Sequence, residues 1–148
     1  MKTSIKRSIL INDSLSKVWK HLTSPDLMQK WMGDPEMALE VISDWEVGGP
    51  IIIKGFHHVQ FENKGRILHL EPERIFQYDY LSSMSNLADE PKNYTTITFR
   101  LQAKEGQTEL TVEVAHFPTL EIYKHLEFYW NGTLQLIQFQ IDGDKMYI

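Results

Sequence analysis

SLSKVWKHLTSPDLMQKWM, residues 14–32, holds two apolar helical registers divided by a Ser-Pro break. Leu15, Val18, Trp19 and Leu22 recur at i, i+3, i+4 and i+7, one helical face, behind the capping oxygens of Asn12, Asp13 and Ser14. Thr23-Ser24-Pro25 ends that helix and opens a second, with Ser24 as cap and Pro25 at the first helical position, where its missing N–H costs nothing. Leu27, Met28, Trp31 and Met32 form the apolar side of the second helix, and Gly33 stops it. Isolated helices shorter than ~12–15 residues are marginal in water, so both need a surface to pack on.

The flanking sequence supplies that surface as strands. Upstream, Ile5, Ile9 and Ile11 share one face with Lys6 and Ser8 opposite. Downstream, Val41, Ser43 and Trp45 alternate with Ile42 and Asp44, and VGGP (47–50) turns the chain, with the Asp44 carboxylate expected to tie the glycine turn down. IIIKG (51–55), VQFENKGRILHL (59–70) and EPERIFQYDYL (71–81) follow, and Phe76, Tyr78 and Tyr80 share a face. Thr95, Ile97, Phe99 and Leu101 make another strand face, as do Leu110, Val112 and Val114 after an EGQ turn. Pro118-Thr119 introduces a closing helix of ~20 residues with an apolar stripe of Tyr123, Leu126, Trp130, Leu134, Ile137 and Ile141. The order predicts one α+β domain over residues 1–148. A curved antiparallel sheet of about six to seven strands wraps the C-terminal helix, and two short helices follow the first strand to close one end, Trp19 and Trp31 rimming the space inside.

Composition narrows the function classes. A chain of 148 residues buries enough surface for a real core without metals or disulfides, and with no cysteine it has no disulfide, zinc–thiolate site or thiol nucleophile. Twenty acidic residues against 15 basic ones leave a net charge of −5 without a basic stripe, which argues against nucleic acid and anionic membrane surfaces as partners. The N-terminus lacks the apolar core of a signal peptide and no apolar run is long enough to span a membrane, so the cytoplasm is the expected compartment.

Candidate binding residues are mostly aromatic. Trp45, Phe76, Tyr78, Tyr80, Phe99, Tyr129 and Trp130, with Trp31 from the second helix, form a dense set for a small domain. Rings facing a groove suit a flat or greasy molecule that phenol hydroxyls orient. His116 continues the face of Leu110, Val112 and Val114 and is the candidate polar contact at the groove mouth. His57, His58 and His69 lack metal-ligand spacing, Arg66 and Arg74 read as edge-strand surface charges, and Asp142-Gly143-Asp144 is too short for a calcium loop. No nucleophile motif, phosphate loop or acid–base pair is present, so no catalytic residue, metal or cofactor is expected. Ser82 to Asn93 reads as a long flap whose Met84 and Leu87 fold over Phe76, Tyr78 and Tyr80, or else as a segment whose Met84 and Leu87 pack as a satellite of the core or serve a dimer contact.

VWKHLTSPDLMQKWM (18–32), DWEVGGP (44–50), KGRILHLEPERIFQYDY (64–80), SSMSNLADEPKNYTTITF (82–99) and the spacing of Trp130, Leu134 and Ile137 carry a family resemblance. In this order they resemble the START-like (SRPBCC) helix-grip superfamily, of the Bet v 1-like architecture, and specifically bacterial relatives of the C-terminal domain of the Hsp90 ATPase activator Aha1. The likeness covers almost the whole chain. Family members commonly have glycine where this sequence has Tyr129, which adds a large ring beside the groove. The resemblance implies an internal cavity between sheet and helix, and hence a small hydrophobic or amphipathic ligand. It implies two alternatives: a protein-interaction module for a chaperone, or an enzyme acting on a cavity-bound substrate. Without a counterpart of Aha1's N-terminal domain, this stretch alone is expected not to stimulate an Hsp90 ATPase. As an assembly, a monomer or a homodimer is expected.

Overall fold

Strand β1 (Ser4–Ile11) leads into helix α1 (Leu15–Thr23) and helix α2 (Pro25–Met32). A single 3-10 turn (Pro35–Met37) then reaches β2 (Glu40–Ser43), β3 (Pro50–His57), β4 (Val59–Glu71) and β5 (Ile75–Ser82). Two more 3-10 turns, Ser83–Ser85 and Pro91–Asn93, precede β6 (Thr95–Lys104), β7 (Gln107–Ala115) and helix α3 (Leu120–Met146). The computed structural model describes residues 4–146, with side chains through residue 143.

All seven strands form one antiparallel sheet in the order β1-β7-β6-β5-β4-β3-β2. Strands β2 to β7 form a meander, whereas β1 pairs with β7 at the far edge, so α1 and α2 carry the chain from one edge to the other. That passage explains two short helices at this point. Ser14 Oγ accepts the Lys17 N–H at 3.1 Å to start α1, and the Ser24 N–H returns to the Lys20 carbonyl to close it. Pro25 then opens α2 at its first position. The Trp31 indole N–H donates to the His21 carbonyl at 2.8 Å, fastening the second helix to the first.

The sheet curves where its ladder is interrupted. The β4–β5 register shifts between Ile67 and His69, leaving Leu68 as the extra residue of a bulge, which bends its strand and increases the twist. Helix α3 lies in the curve, its stripe of Tyr123, Leu126, Trp130, Leu134, Ile137 and Ile141 buried against Ile5, Ile97, Phe99, Leu110, Val112 and Val114 in one core. At 27 residues it is longer than the stripe suggested, because Gly143 lies within the helix.

Strand β2 ends at Ser43, two residues short of the alternation read from the sequence. Asp44 Oδ1 accepts the Glu46 N–H at 3.1 Å, and Trp45 takes a left-handed φ of 57°. The Asp44 carboxylate fills the space a Cβ on Gly49 would need, so the glycine is steric. The turn is tied by the aspartate as expected, and it swings the Trp45 ring onto Phe76.

Candidate functional site

The inner face of β5 supplies Phe76, Tyr78 and Tyr80 at alternate positions. Phe76 stands opposite Phe99 of β6, and Tyr78 opposite Ile97. From above, α3 lowers Trp130 and Tyr129, and α2 brings Trp31. The rings meet in an unbroken series. Trp45 packs on Phe76 at 5.5 Å between centroids, Phe76 on Tyr78 at 5.2 Å, and Tyr78 on Tyr80 at 6.4 Å. A second branch runs from Phe76 to Phe99 at 6.1 Å, then to Trp130 at 5.7 Å and Tyr129 at 5.2 Å, with Trp31 set edge-on to Phe99. Trp31, Phe76, Tyr78, Phe99 and Trp130 are buried; Trp45, Tyr80 and Tyr129 are half-buried, and the cluster reaches the surface through them.

His116 does not join them. Strand β7 ends at Ala115, and His116 turns with a left-handed φ of 64°, which sends its exposed ring to the Thr96 hydroxyl at 3.0 Å. Alternation predicts direction only while the backbone stays extended, and here it has stopped.

The polar atoms of the cluster fall into two groups. Tyr129 Oη donates to the Met32 carbonyl at 2.9 Å, so the ring standing at the family's usual glycine position joins α3 to the end of α2. The hydroxyls of Tyr78 and Tyr80 bond no described residue, and the Trp130 indole N–H, on a side chain 2% exposed, has no partner among them. Burial pushes the phenols of Tyr78, Tyr80 and Tyr129 well above their ordinary value. Charge on Tyr80 or Tyr129 would push Tyr78 further.

Asn63 belongs with this group, and the sequence reading missed it. Its Oδ1 is buried without a partner among the described residues. It lies in the inward register of β4 with Phe61, Gly65 and Ile67, across from β3's buried Ile53 and diagonal to Tyr80. The visible signal was one amide in an otherwise apolar alternation.

The segment after β5 is not a flap over these rings. Lys64 lies on the face of β4 turned away from Ile67 and holds the segment there. Lys64 Nζ meets Asp89 Oδ2 at 2.6 Å, the Tyr94 phenol donates to Asp89 Oδ1 at 2.6 Å, and the Glu62 N–H donates to Ser83 Oγ at 2.9 Å. Met84 is exposed, and Leu81 beneath is buried on this outer face. Met84 and Leu87 therefore cannot shield Phe76, Tyr78 and Tyr80, because the sheet stands between. Open clefts lie elsewhere too: one of about 470 Å³ beside Met37, Phe56 and Phe61, and one of about 230 Å³ beside Ile52, Arg66 and Tyr94. Among the described residues no His, Asp or Glu cluster could hold a metal, and no helix is long and apolar enough to cross a membrane. His57 and His58 stack on each other at the β3–β4 end, and His69 Nε2 lies 2.6 Å from Glu71 Oε2.

Known proteins share this architecture. The family described as Activator of Hsp90 ATPase homolog 1-like protein matches residues 13–138. A protein of Cytophaga hutchinsonii, solved in solution, is 28% identical over 100% of this chain and 99% of its own, with a TM-score of 0.79. A Chromobacterium violaceum crystal structure is 16% identical, covers 95% of this chain and 98% of its own, and reaches a TM-score of 0.81. The Aha1 dimer of Colwellia psychrerythraea is 19% identical, with 93% and 94% covered and a TM-score of 0.71. The latter two show the helix-grip fold alone. No curated protein matches the sequence.

Proposed function

We propose that this chain, which belongs to the Activator of Hsp90 ATPase homolog 1-like family, binds a small, neutral, largely apolar molecule between α3 and the inner face of β4 to β6, in the cytoplasm. The observation that carries the reading is the Trp130 indole N–H, buried with no acceptor among the described residues. Leaving a buried donor unmade costs about 1–3 kcal/mol, which an acceptor on a ligand would return. Asn63 Oδ1, buried without a partner among the described residues, adds to this unmet capacity. Raised phenol pKa values and the lack of any cation in the aromatic set favour a neutral carbonyl or hydroxyl compound over a carboxylate. The rings of Trp31, Phe76 and Phe99 would supply its apolar bed. A thermal-shift panel of neutral aromatic and terpenoid compounds tests this, since a binder at 100 times its dissociation constant adds about 2.7 kcal/mol. Trp130→Phe and Tyr78→Phe should each weaken a hit about tenfold. A panel without a hit, with native mass spectrometry finding no co-purified molecule, would end the reading.

The match across residues 13–138 favours a second reading, an interaction module acting on an Hsp90-type chaperone. A saturable, several-fold rise in bacterial Hsp90 turnover on adding this protein would establish it. No change would leave the ligand reading in place.

A further inference from the structure

The outward face of α3 carries three large apolar side chains among exposed polar ones such as Glu121, Lys124, Gln135 and Asp142. Phe128 is 80% exposed, Phe139 69% and Leu136 50%, directly opposite the buried stripe of Trp130, Leu134, Ile137 and Ile141. Gly132 and Gly143 share this face, and a Cβ at either would meet nothing within 4 Å. Phe128 and Phe139 are eleven residues apart, as are Gly132 and Gly143, and eleven residues make about three helical turns. Two bulky rings and two notches thus repeat at one interval along one line.

We infer that this face docks on the same face of a second copy of the chain, the two α3 helices running antiparallel. A two-fold axis between Gln135 and Leu136 sets Phe128 of one copy over Gly143 of the other, and Phe139 over Gly132, four times over by symmetry. Isologous pairing requires a patch that is its own complement, and this spacing meets that requirement. The missing Cβ atoms at Gly132 and Gly143 let the axes approach. From residue 128 to 143, the described stretch that this register overlaps, the exposed half of the helix offers roughly 400 Å² per copy, estimated from a 1.5 Å rise and a diameter of 10–12 Å. The pair then buries about 800 Å², in the range of weak, transient contacts. The dimer is therefore weak and concentration-dependent.

The chain has no cysteine, so single-cysteine variants report position without background. Sedimentation of the full chain should show a monomer–dimer equilibrium through the high-micromolar range. Phe139→Glu should abolish it, and Gly132→Leu should weaken it about tenfold although it adds apolar surface. Gln135→Cys should form a dimer-linking disulfide on oxidation, and Glu121→Cys should not. Helical circular dichroism verifies that each variant is folded. A monomer at every concentration overturns the inference, as does a dimer indifferent to Phe139→Glu. Strengthening by Gly132→Leu, or equal cross-linking at both cysteine positions, overturns it as well, because association would then lack the antiparallel register.

Discussion

Trp31 and Trp130 have ring centroids 6.4 Å apart, are each 2% exposed and both touch Phe99, yet they differ by one hydrogen bond. The Trp31 N–H reaches the His21 carbonyl, and the Trp130 N–H reaches nothing described. Equal burial with unequal polar satisfaction separates a fastening from an available donor. The phenols divide the same way: Tyr129 is bonded to the Met32 carbonyl, and Tyr78 and Tyr80 are not bonded to the described protein. The satisfied members join α1, α2 and α3 to one another. The Trp130 N–H makes no such tie to a described residue.

The largest expected effect does not discriminate between the two tryptophans. Truncating either to alanine removes a buried indole and should cost about 3–5 kcal/mol in urea unfolding. Phenylalanine discriminates. Trp31→Phe also strands the His21 carbonyl, adding about 1–3 kcal/mol to the loss of volume. Trp130→Phe breaks no bond to a described residue and should be the milder change by at least about 1 kcal/mol. Equal destabilisation by the two substitutions would erase the comparison.

Alkali probes the phenols next. In the unfolded chain they titrate near pH 10, whereas burial holds Tyr78, Tyr80 and Tyr129 higher in the folded one. Above pH 10 the unfolded state releases protons that the folded state retains. Stability is therefore complete below about pH 10 and falls above it, by about 1.4 kcal/mol per pH unit for each such phenol. Tyr78→Phe should remove one phenol's share of that slope. Phenolate absorbance rising near pH 10 while the protein stays folded would mean the groove is wet, and the contrast between paired and unpaired groups would lose its force.

Much of this was legible before the structure. Ser14, Ser24 and Pro25 mark helix ends by local chemistry, and alternation in β5, β6 and β7 gives the buried faces, because both signals depend on neighbours in sequence. Eight of the nine aromatic and polar candidates lie in one contact series, and Phe76, Tyr78, Phe99 and Trp130 do so because each sits on the apolar register of its element. What failed depended on backbone excursions or distant contacts. His116 and Trp45 leave their strands through left-handed φ, which periodicity cannot register. Asn63 gains its meaning from burial under other elements, and Trp130 from a missing acceptor, and no local pattern encodes either. The Ser82 to Asn93 segment was read as a flap from its two apolar residues, and its charged ones, Asp89 above all, decided its face.

That segment gives the smallest expected effect and tests the comparison from the other side, with polar groups that are fully paired but wet. Asp89 accepts from Lys64 and from Tyr94, and the hydrogen bond from Lys64, then that from Tyr94, hold its carboxyl below the usual aspartate value. A lowered carboxylate pKa means that the ties are present above the ordinary aspartate value and are lost as pH falls through the lowered one. At neutral pH they hold the segment locally, while exposed pairs of this kind add little to global stability. Asp89→Ala should therefore speed amide exchange across Ser83 to Asn93 and shift the melting temperature by less than about 2 °C. The Trp31→Phe shift should be clearly larger. A compound seated under α3 should leave exchange in this segment unchanged, since the sheet lies between them. Slowing of Ser83 to Asn93 on ligand addition would bring back the lid and move the binding site to the outer face. A melting shift for Asp89→Ala as large as that for Trp31→Phe would show that pairing in water stabilises this fold as much as pairing in its core, against the division drawn between them.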